Sequence, residues 1–314
     1  MAKQKLVMIG NGMAGLRTIE EILERSQSQF DITIIGKEPY PNYNRIMLSN
    51  ILQKKMTVED TIMNSYDWYQ ENNVELINND PVEKVDKENK IVTTSKGIEV
   101  EYDICIFATG SKAFVLPIPG SNLPSVIGWR TIDDTNKMIE IAQTKKRAVV
   151  IGGGLLGLEC ARGLLDQGME VTVLHLADWL MEMQLDRKAG EMLKADLEKQ
   201  GMKIELQANS KEIIGDKDVE AIKLADGRVI ETDLVVMAVG IRPYTEVAKD
   251  SGLDVNRGIV VNDYMQTSDS HIYAVGECAE HDGKVYGLVA PLYEQGKVLA
   301  DYLTGKETKG YKGS

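Results

Sequence analysis

Two glycine triplets have the spacing that holds a phosphate where a strand turns into a helix. The triplets are Gly10, Gly12 and Gly15, and Gly152, Gly154 and Gly157. In a GxGxxG turn the first glycine makes the tight turn, the second lets the backbone approach a pyrophosphate, and the third lets helix and strand pack closely. The pyrophosphate then meets the free N–H groups at the positive end of the helix. Two such turns predict two dinucleotide sites in one chain.

The apolar strand after the second glycine turn ends in His175, where an NADH-binding strand usually carries an acid. An acid there bonds the ribose hydroxyls and repels a 2′-phosphate, whereas a neutral imidazole does neither strongly. A hundredfold cofactor preference requires about 2.7 kcal/mol, more than we expect from one imidazole. Arg187 and Lys188 could meet a phosphate, although a role on the helix surface is the simpler interpretation. A strand-end histidine without cofactor contact is the alternative for His175.

The elements that must position these residues are duplicated. Segments 5–23 and 147–165 each contain a buried apolar strand, a glycine turn and a helix with aliphatic residues at helical spacing. Each is followed by a second strand, a helix, a hairpin and a third strand ending in glycine. The hairpins turn at Lys96-Gly97 and Asp226-Gly227. The predicted fold class is therefore α/β, with two Rossmann-like three-layer dinucleotide-binding domains, the second inserted in the first.

A linker at 115–124 with three prolines marks the end of the first half of the first domain. A further strand at 271–276 lies beyond the second unit and predicts that the chain returns to the first domain. The predicted domains are 1–117 with 244–314 for one dinucleotide, and 118–243 for the other.

Composition excludes several classes of function. The net charge of −12 comes from scattered acids, which argues against a nucleic-acid partner. The three isolated cysteines argue against a disulfide framework, a dithiol redox centre and an iron–sulfur cluster, and three scattered histidines argue against a metal site. No apolar run approaches the roughly 18–20 residues of a membrane span. The chain enters a strand almost at once, without a signal peptide, so we expect a cytoplasmic protein.

Longer strings carry a resemblance to a known family over nearly the whole chain. The motifs GNGMAG, ATG, GGGLLGLE, AVGIRP and HIYAVGECA resemble those of the flavoproteins that bind two dinucleotides, FAD and NAD(P)H. Four further strings, at 43–50, 128–134, 175–186 and 276–296, resemble the large subunit of assimilatory NAD(P)H-dependent nitrite reductases. Asn50 departs from the related rubredoxin and ferredoxin reductases, which commonly carry a lysine there.

The resemblance implies two sets of cofactor-binding residues. For FAD these are Gly10, Gly12, Ala14, Gly15, Glu38, Arg45, Ser49, Ala108, Thr109, Gly110, Gly276, Glu277 and Pro291. For NAD(P)H they are Gly152, Gly154, Leu155, Leu156, Gly157, Glu159, His175 and Gly240.

Four of these residues have particular implied roles. Arg45 would bind the FAD pyrophosphate, Glu38 the adenosine ribose, and Glu277 the ribityl hydroxyl. A helix opening near Pro291 would present its N-terminus to the flavin. A surface ion pair for Arg45 and an ordinary strand-end acid for Glu277 are the alternatives.

The resemblance also implies a function. NAD(P)H, with NADH favoured, would give hydride to FAD, and electrons would pass to the iron–sulfur and sirohaem domains that follow in the longer relatives. No general acid or base is needed for the hydride step, and Glu159, near the nicotinamide, is the one catalytic candidate; an unremarkable helix acid is the alternative. The rival functions are a separate rubredoxin or ferredoxin reductase and a flavin-binding redox sensor or scaffold. A homodimer stays open.

Overall fold

Two parallel sheets with helices, and several smaller sheets, make up residues 3–313, the part of the chain that the computed structural model describes. The strands are β1 Gln4–Ile9, β2 Phe30–Ile35, β3 Val74–Ile77, β4 Val82–Asp86, β5 Ile91–Thr94, β6 Glu99–Glu101, β7 Ile104–Phe107, β8 Ser111–Ala113, β9 Val126–Gly128, β10 Arg147–Ile151, β11 Glu170–Leu174, β12 Lys203–Glu205, β13 Ser210–Ile214, β14 Ala221–Leu224, β15 Val229–Glu231, β16 Leu234–Met237, β17 Ile241–Pro243, β18 Ile259–Val261, β19 Ile272–Ala274, β20 Ala279–His281 and β21 Lys284–Val285. The α-helices are α1 Met13–Arg25, α2 Leu48–Leu52, α3 Tyr66–Glu71, α4 Ile132–Thr144, α5 Leu155–Asp166, α6 Arg187–Lys199, α7 Glu246–Asp250 and α8 Val289–Leu303.

The first compact unit comprises residues 3–44, 62–111 and 242–313. Its main sheet has the order β19-β7-β1-β2-β3, and all neighbouring strands are parallel. The last four residues of β1 and all four of β7 are buried and apolar, as expected for a parallel sheet covered on both faces. Helix α8 packs against α1, and the close fit requires Gly296, whose ideal Cβ would lie 2.5 Å from the Thr18 hydroxyl.

The second compact unit comprises residues 45–61 and 112–241. Its main sheet, β12-β11-β10-β16-β9, is also entirely parallel, and its strands β12, β11, β10 and β16 repeat the order β3, β2, β1 and β7 of the first sheet. The edge strand differs, because β9 precedes the other strands in the chain whereas β19 follows them. Helix α2 packs against α5, where the ideal Cβ of Gly163 would lie 2.5 Å from Leu52 Cγ. The Gln167 amide donates a 2.7 Å hydrogen bond to the Leu52 carbonyl. These contacts attach residues 45–61 to the second unit.

The predicted α/β fold class with two Rossmann-like domains is confirmed. The predicted hairpins form as β5-β6 and β14-β15, each turning at a glycine of positive φ, Gly97 at +80° and Gly227 at +93°. The domain boundaries stay a prediction. The compact units differ from them at three places. Residues 45–61 and 112–117 lie in the second unit although 1–117 is predicted for the first domain, and residues 242–243 lie in the first unit although 118–243 is predicted for the second domain.

A buried charge cluster joins α1 to α8. Glu21 accepts hydrogen bonds from Arg17 and Arg25, and Arg25 also donates to Asp301 at 2.6 Å. Burial pushes the pKa of Glu21 upward, but the two arginines outweigh it and hold the pKa below its ordinary value. The carboxylate therefore stays ionised inside the helix pair.

Helix α4 begins with a capping box. The Thr131 hydroxyl accepts from the Asp134 N–H at 3.1 Å, and the Asp134 carboxylate accepts from the Thr131 N–H at 2.8 Å. The box satisfies N–H groups that a helix start otherwise leaves without partners. It therefore fixes where α4 begins.

None of the helices within residues 3–313 combines the length and the apolar character needed to cross a bilayer.

Candidate functional site

The first glycine turn, between β1 and α1, is tightly packed at its ends and open in its middle. Gly10 has a φ of +116°, and its ideal Cβ would lie 2.2 Å from the Ala108 carbonyl oxygen. The ideal Cβ of Gly15 would lie 2.9 Å from both Ala108 Cβ and the Gly10 carbonyl oxygen. An added Cβ at Gly12 meets nothing within 4 Å. Packing therefore explains Gly10 and Gly15, but it does not explain Gly12.

The second glycine turn, between β10 and α5, repeats this arrangement in the other unit. Gly152 has a φ of +118° and lies against the Ala238 carbonyl, at 2.3 Å from its ideal Cβ. The ideal Cβ of Gly157 would lie 2.0 Å from the Gly152 carbonyl oxygen, and that of Gly154 meets nothing within 4 Å. In each turn the middle glycine leaves open the place where a dinucleotide pyrophosphate approaches the backbone.

Both helices that follow the turns begin without a side-chain cap. Gly12 and Gly154 are the N-cap residues of α1 and α5, and neither helix carries an acid in its first turn. The first N–H groups of each helix thus point outward with no carboxylate to repel an anion. The residues present fit a pyrophosphate at both turns.

The other residues predicted for FAD in the first unit lie around its turn. Ala108, Thr109 and Gly110 follow β7 directly, beside β1. Ala14 Cβ lies 3.0 Å from the ideal Cβ position of Gly276, which has a φ of +87°. Glu277 accepts a 2.7 Å hydrogen bond from the Ser111 hydroxyl. The structure therefore brings the late GECA strand end to the start of α1. Pro291 lies in the first turn of α8, which begins at Val289.

Two buried amides near this turn each have a donor without a partner among the described residues. Gln295 is fully buried, and its Oε1 accepts from the Gly276 N–H at 2.9 Å while its Nε2 has no partner. Asn11, inside the turn, accepts from the Tyr69 hydroxyl at 2.8 Å, and its Nδ2 has no partner. Buried donors ordinarily have an acceptor, so both amides fit a bound group rich in oxygen. The sequence signal for Asn11 was its place between two turn glycines, and our sequence reasoning did not use it.

Glu38, the predicted ribose ligand, lies three residues beyond β2 and accepts a 2.7 Å hydrogen bond from the Tyr43 hydroxyl. The usual acid position is Gly36, where an ideal Cβ would already lie 3.1 Å from Asn11 Cβ. Close packing against the turn thus explains the glycine there. The role of Glu38 stays a prediction.

Arg45 and Ser49, both predicted for FAD, belong to the second compact unit. Arg45 donates a 2.6 Å hydrogen bond to the Arg130 carbonyl. The Ser49 hydroxyl contacts Glu159, where burial raises the pKa of the carboxyl and the hydroxyl partly opposes that rise. The structure therefore brings Ser49 together with Glu159, which was predicted for NAD(P)H. The FAD assignment of both residues stays a prediction.

His175 has both ring nitrogens engaged within the protein. Its Nδ1 accepts a 3.0 Å hydrogen bond from the Gly153 N–H, and its Nε2 lies 3.0 Å from Glu182 Oε2. The side chain is buried and packs against the glycine turn. Glu182 was absent from the sequence prediction because seven residues separate it from the strand end.

The remaining residues predicted for the second turn are placed as follows. Leu155 and Leu156 are exposed at the start of α5, and Gly240 follows β16 with a φ of +105°. Arg187 pairs with Asp178 at 2.9 Å and lies over the Trp179 ring, which is the helix-surface role.

The described part of the chain shows no exposed cysteine and no cluster of metal-binding side chains. Cys105, Cys160 and Cys278 are free and buried, and burial raises the pKa of each thiol. Residues 3–313 contain no group of three or more His, Cys, Asp or Glu side chains placed to hold a metal ion.

Two α/β units with matching open glycine turns define a dinucleotide-binding oxidoreductase fold. The chain belongs to the pyridine nucleotide-disulphide oxidoreductase family, which it matches over residues 4–296, and this confirms the resemblance to the flavoproteins that bind two dinucleotides. The family implies binding of FAD and NAD(P)H.

Individual relatives agree with this family. The chain is 57% identical over its whole length to "Nitrite reductase [NAD(P)H]" of Bacillus subtilis (strain 168), of which it covers 39%. It is 47% identical to the "Assimilatory nitrate reductase electron transfer subunit" of the same organism, of which it covers 41%. The crystal structure of NADH:rubredoxin oxidoreductase from Clostridium acetobutylicum superposes with a TM-score of 0.84 at 31% identity, covering 100% of this chain and 78% of that one. The chain thus spans about two fifths of the length of these two curated relatives.

Proposed function

We propose that this chain accepts hydride from NAD(P)H onto FAD and passes the electrons to a separate metal centre at which nitrite is reduced. The observation that carries the proposal is the pair of glycine turns, each open only at its middle glycine. A single turn of this kind could serve packing alone, but packing leaves Gly12 and Gly154 unexplained in both units. Two dinucleotides in one oxidoreductase suit a donor and an acceptor of the same electron pair.

The chain's own residues bind and orient in this proposal. The first turn, with Asn11 and Gln295 beside it, would hold FAD, and the second turn would hold NAD(P)H. When bound, the two cofactors supply the hydride chemistry themselves. The protein contributes alignment, anion-binding N–H groups and exclusion of competing acids from the first turns of α1 and α5. The predicted domains, 1–117 with 244–314 and 118–243, are part of this proposal.

Nitrite reduction would use residues outside this sequence. The whole sequence has three cysteines, fewer than the four that usually hold an iron–sulfur cluster. The relatives named for nitrite reduction and for nitrate-reductase electron transfer are more than twice as long as this chain. The proposed partner is therefore a set of iron–sulfur and sirohaem domains, in a cytoplasmic assembly without nucleic acid.

A rubredoxin-type carrier is the second candidate acceptor. The superposition on an NADH:rubredoxin oxidoreductase over the whole chain favours it. Asn50 counts against it, because it stands where the related rubredoxin and ferredoxin reductases commonly carry a lysine, and its amide contacts the sulfurs of Met47 and Met56. Rapid reduction of rubredoxin by the reduced chain would favour this candidate.

An anaerobic absorbance titration tests the proposal. The purified chain is supplied with FAD, freed of excess, and titrated with NADH and in parallel with NADPH. Near-stoichiometric bleaching of the oxidised flavin band is the expected result, with NADH effective at lower concentration. Bound FAD that neither donor reduces would refute the hydride step and favour a redox sensor or scaffold. Nitrite added to the reduced chain alone should not restore the oxidised band.

A further inference from the structure

The charge that selects between NADH and NADPH has to come from somewhere other than the end of β11. His175 stands there, and its ring faces the glycine turn: the ideal Cβ of Gly153 would lie 2.7 Å from His175 Cγ. An acid in this position would reach the ribose, but the imidazole is held against the backbone instead. The strand end therefore carries no negative charge of its own.

The hydrogen bonds of His175 define its tautomer. Nδ1 accepts from the Gly153 N–H, so it carries a lone pair, and the proton of the neutral ring lies on Nε2. Nε2 then donates to Glu182, with 3.0 Å between Nε2 and Oε2. The His175 ring thus lies between the glycine turn and the Glu182 carboxylate and forms a hydrogen bond with each.

The backbone holds Glu182 in the same place. The N–H of Met181 donates to the Gly153 carbonyl at 3.1 Å, and Met181 adopts a left-handed φ of +57°. Two groups that adjoin Glu182, the His175 ring and the Met181 N–H, therefore both form a hydrogen bond with Gly153. The carboxylate remains about one third exposed, so it can meet solvent or a ligand.

The charges around Glu182 leave its carboxylate available. No Lys or Arg among the described residues forms an ion pair with it, and its hydrogen-bond partner is a neutral ring. Arg187, one candidate for a 2′-phosphate, pairs with Asp178 at 2.9 Å and with Glu191 at 3.8 Å, and its guanidinium lies over the Trp179 ring. The loop therefore presents an acid, while its guanidinium is already occupied.

We propose that Glu182, oriented by His175, is the residue that discriminates NADH from NADPH. It takes the place of the missing strand-end acid, accepting from the ribose hydroxyls and repelling a 2′-phosphate, and His175 acts as its positioning residue. The inference rests on the proposed nucleotide site at the second glycine turn.

Binding of two small probes tests the inference without turnover. Adenosine 5′-monophosphate and adenosine 2′,5′-bisphosphate differ only by the 2′-phosphate, and their dissociation constants can be measured by calorimetry on the FAD-loaded chain. The unmodified chain should prefer the monophosphate, and the preference should shrink as salt screens the carboxylate. Glu182→Gln should cut the preference at least tenfold, equivalent to about 1.4 kcal/mol. Glu140→Gln, which removes an exposed acid of α4 that forms no ion pair within residues 3–313, should leave it unchanged.

A second variant separates the two hydrogen bonds of His175. The amide oxygen of His175→Asn can replace Nδ1 as the acceptor for Gly153, but the side chain does not reach Glu182. We expect normal monophosphate affinity with a reduced preference.

Three results would overturn the inference or its basis. An unchanged preference in Glu182→Gln, with both probes still bound, would refute the role of Glu182 and leave the proposed function standing. An equal loss of preference in Glu140→Gln would show a general charge effect and refute the specific role as well. Failure of the unmodified chain to bind either probe would refute the nucleotide site itself.

Discussion

Replacing Gly154 with alanine should leave folding intact and impair nucleotide binding, whereas the same change at Gly157 should destabilise the fold. Gly154 has φ −84° and ψ −178°, which any residue adopts, and its added methyl meets no protein atom within 4 Å. The methyl of Gly157→Ala would lie 2.0 Å from a backbone oxygen that cannot rotate away. The two positions are three residues apart in one turn, so each serves as the control for the other.

The magnitudes follow from these contacts. At Gly154, alanine stabilises by roughly 0.4–1 kcal/mol through the unfolded state and costs about 0.5 kcal/mol as a poorer N-cap. The two effects nearly offset, so we expect the free energy of unfolding to change by less than about 1 kcal/mol. Overpacking at Gly157 should cost at least roughly 1–3 kcal/mol. A methyl that holds a pyrophosphate away from the α5 N–H groups loses charged hydrogen bonds of about 1.5–3 kcal/mol each, which is at least a tenfold rise in the NADH dissociation constant.

Urea unfolding and NADH binding, measured on the same preparations, check both halves. The expected result for Gly154→Ala is an unchanged unfolding midpoint with at least tenfold weaker NADH binding. Unchanged NADH affinity in a folded Gly154→Ala protein would refute the reasoning, because the open space would then not be where the pyrophosphate approaches. A large stability loss at Gly154 would refute it equally, since the turn would then need that glycine for packing.

Three further predictions concern stability and reactivity. Glu21→Gln should destabilise the protein by about 1–3 kcal/mol at neutral pH by leaving Arg25 with one partner fewer, measured by urea unfolding. Because the Glu21 pKa is lowered on folding, its contribution is present above about pH 4.5 and is lost as the pH falls through the folded-state pKa, so the two proteins should converge in acid and a constant gap would contradict this. Thr131→Ala should cost about 1 kcal/mol by loss of the α4 cap, and Thr131→Ser should restore most of it. Iodoacetamide should label no cysteine of the folded protein at pH 8 and all of them in urea, by mass spectrometry, since burial raises all three thiol pKa values.

The sequence predicted the parts of the fold that repeat. Each glycine triplet follows an apolar strand and precedes a helix, and this local pattern is sufficient to place β1-α1 and β10-α5. The hairpin turns were likewise local, because each has a glycine between two short strands, and Gly97 and Gly227 both adopt a positive φ.

The sequence pattern could not predict contacts between residues that are distant along the chain. Nothing in the composition of residues 45–61 says that Leu52 packs on Gly163, more than a hundred positions later. His175 presented the same difficulty, because its position suggested a place near the ribose and its type did not show what the ring would contact. Only the structure shows that Nδ1 accepts a hydrogen bond from the Gly153 N–H and that Nε2 is hydrogen-bonded to Glu182.

The attachment of residues 45–61 to the second unit has a consequence for how such a module can be inherited. The chain changes unit at 44/45, 61/62, 111/112 and 241/242, so neither unit is a single continuous stretch of sequence. A gene segment encoding only 112–241 would lack Leu52. The face of α5 at Gly163 would then be exposed to solvent, and the Gln167 amide would lose its hydrogen bond to the Leu52 carbonyl. Recombination at the two ends of 112–241 would therefore yield a unit with an exposed apolar surface. Recombination outside the whole chain would keep residues 45–61 together with 112–241. This interleaving favours transmission of both halves as one genetic unit.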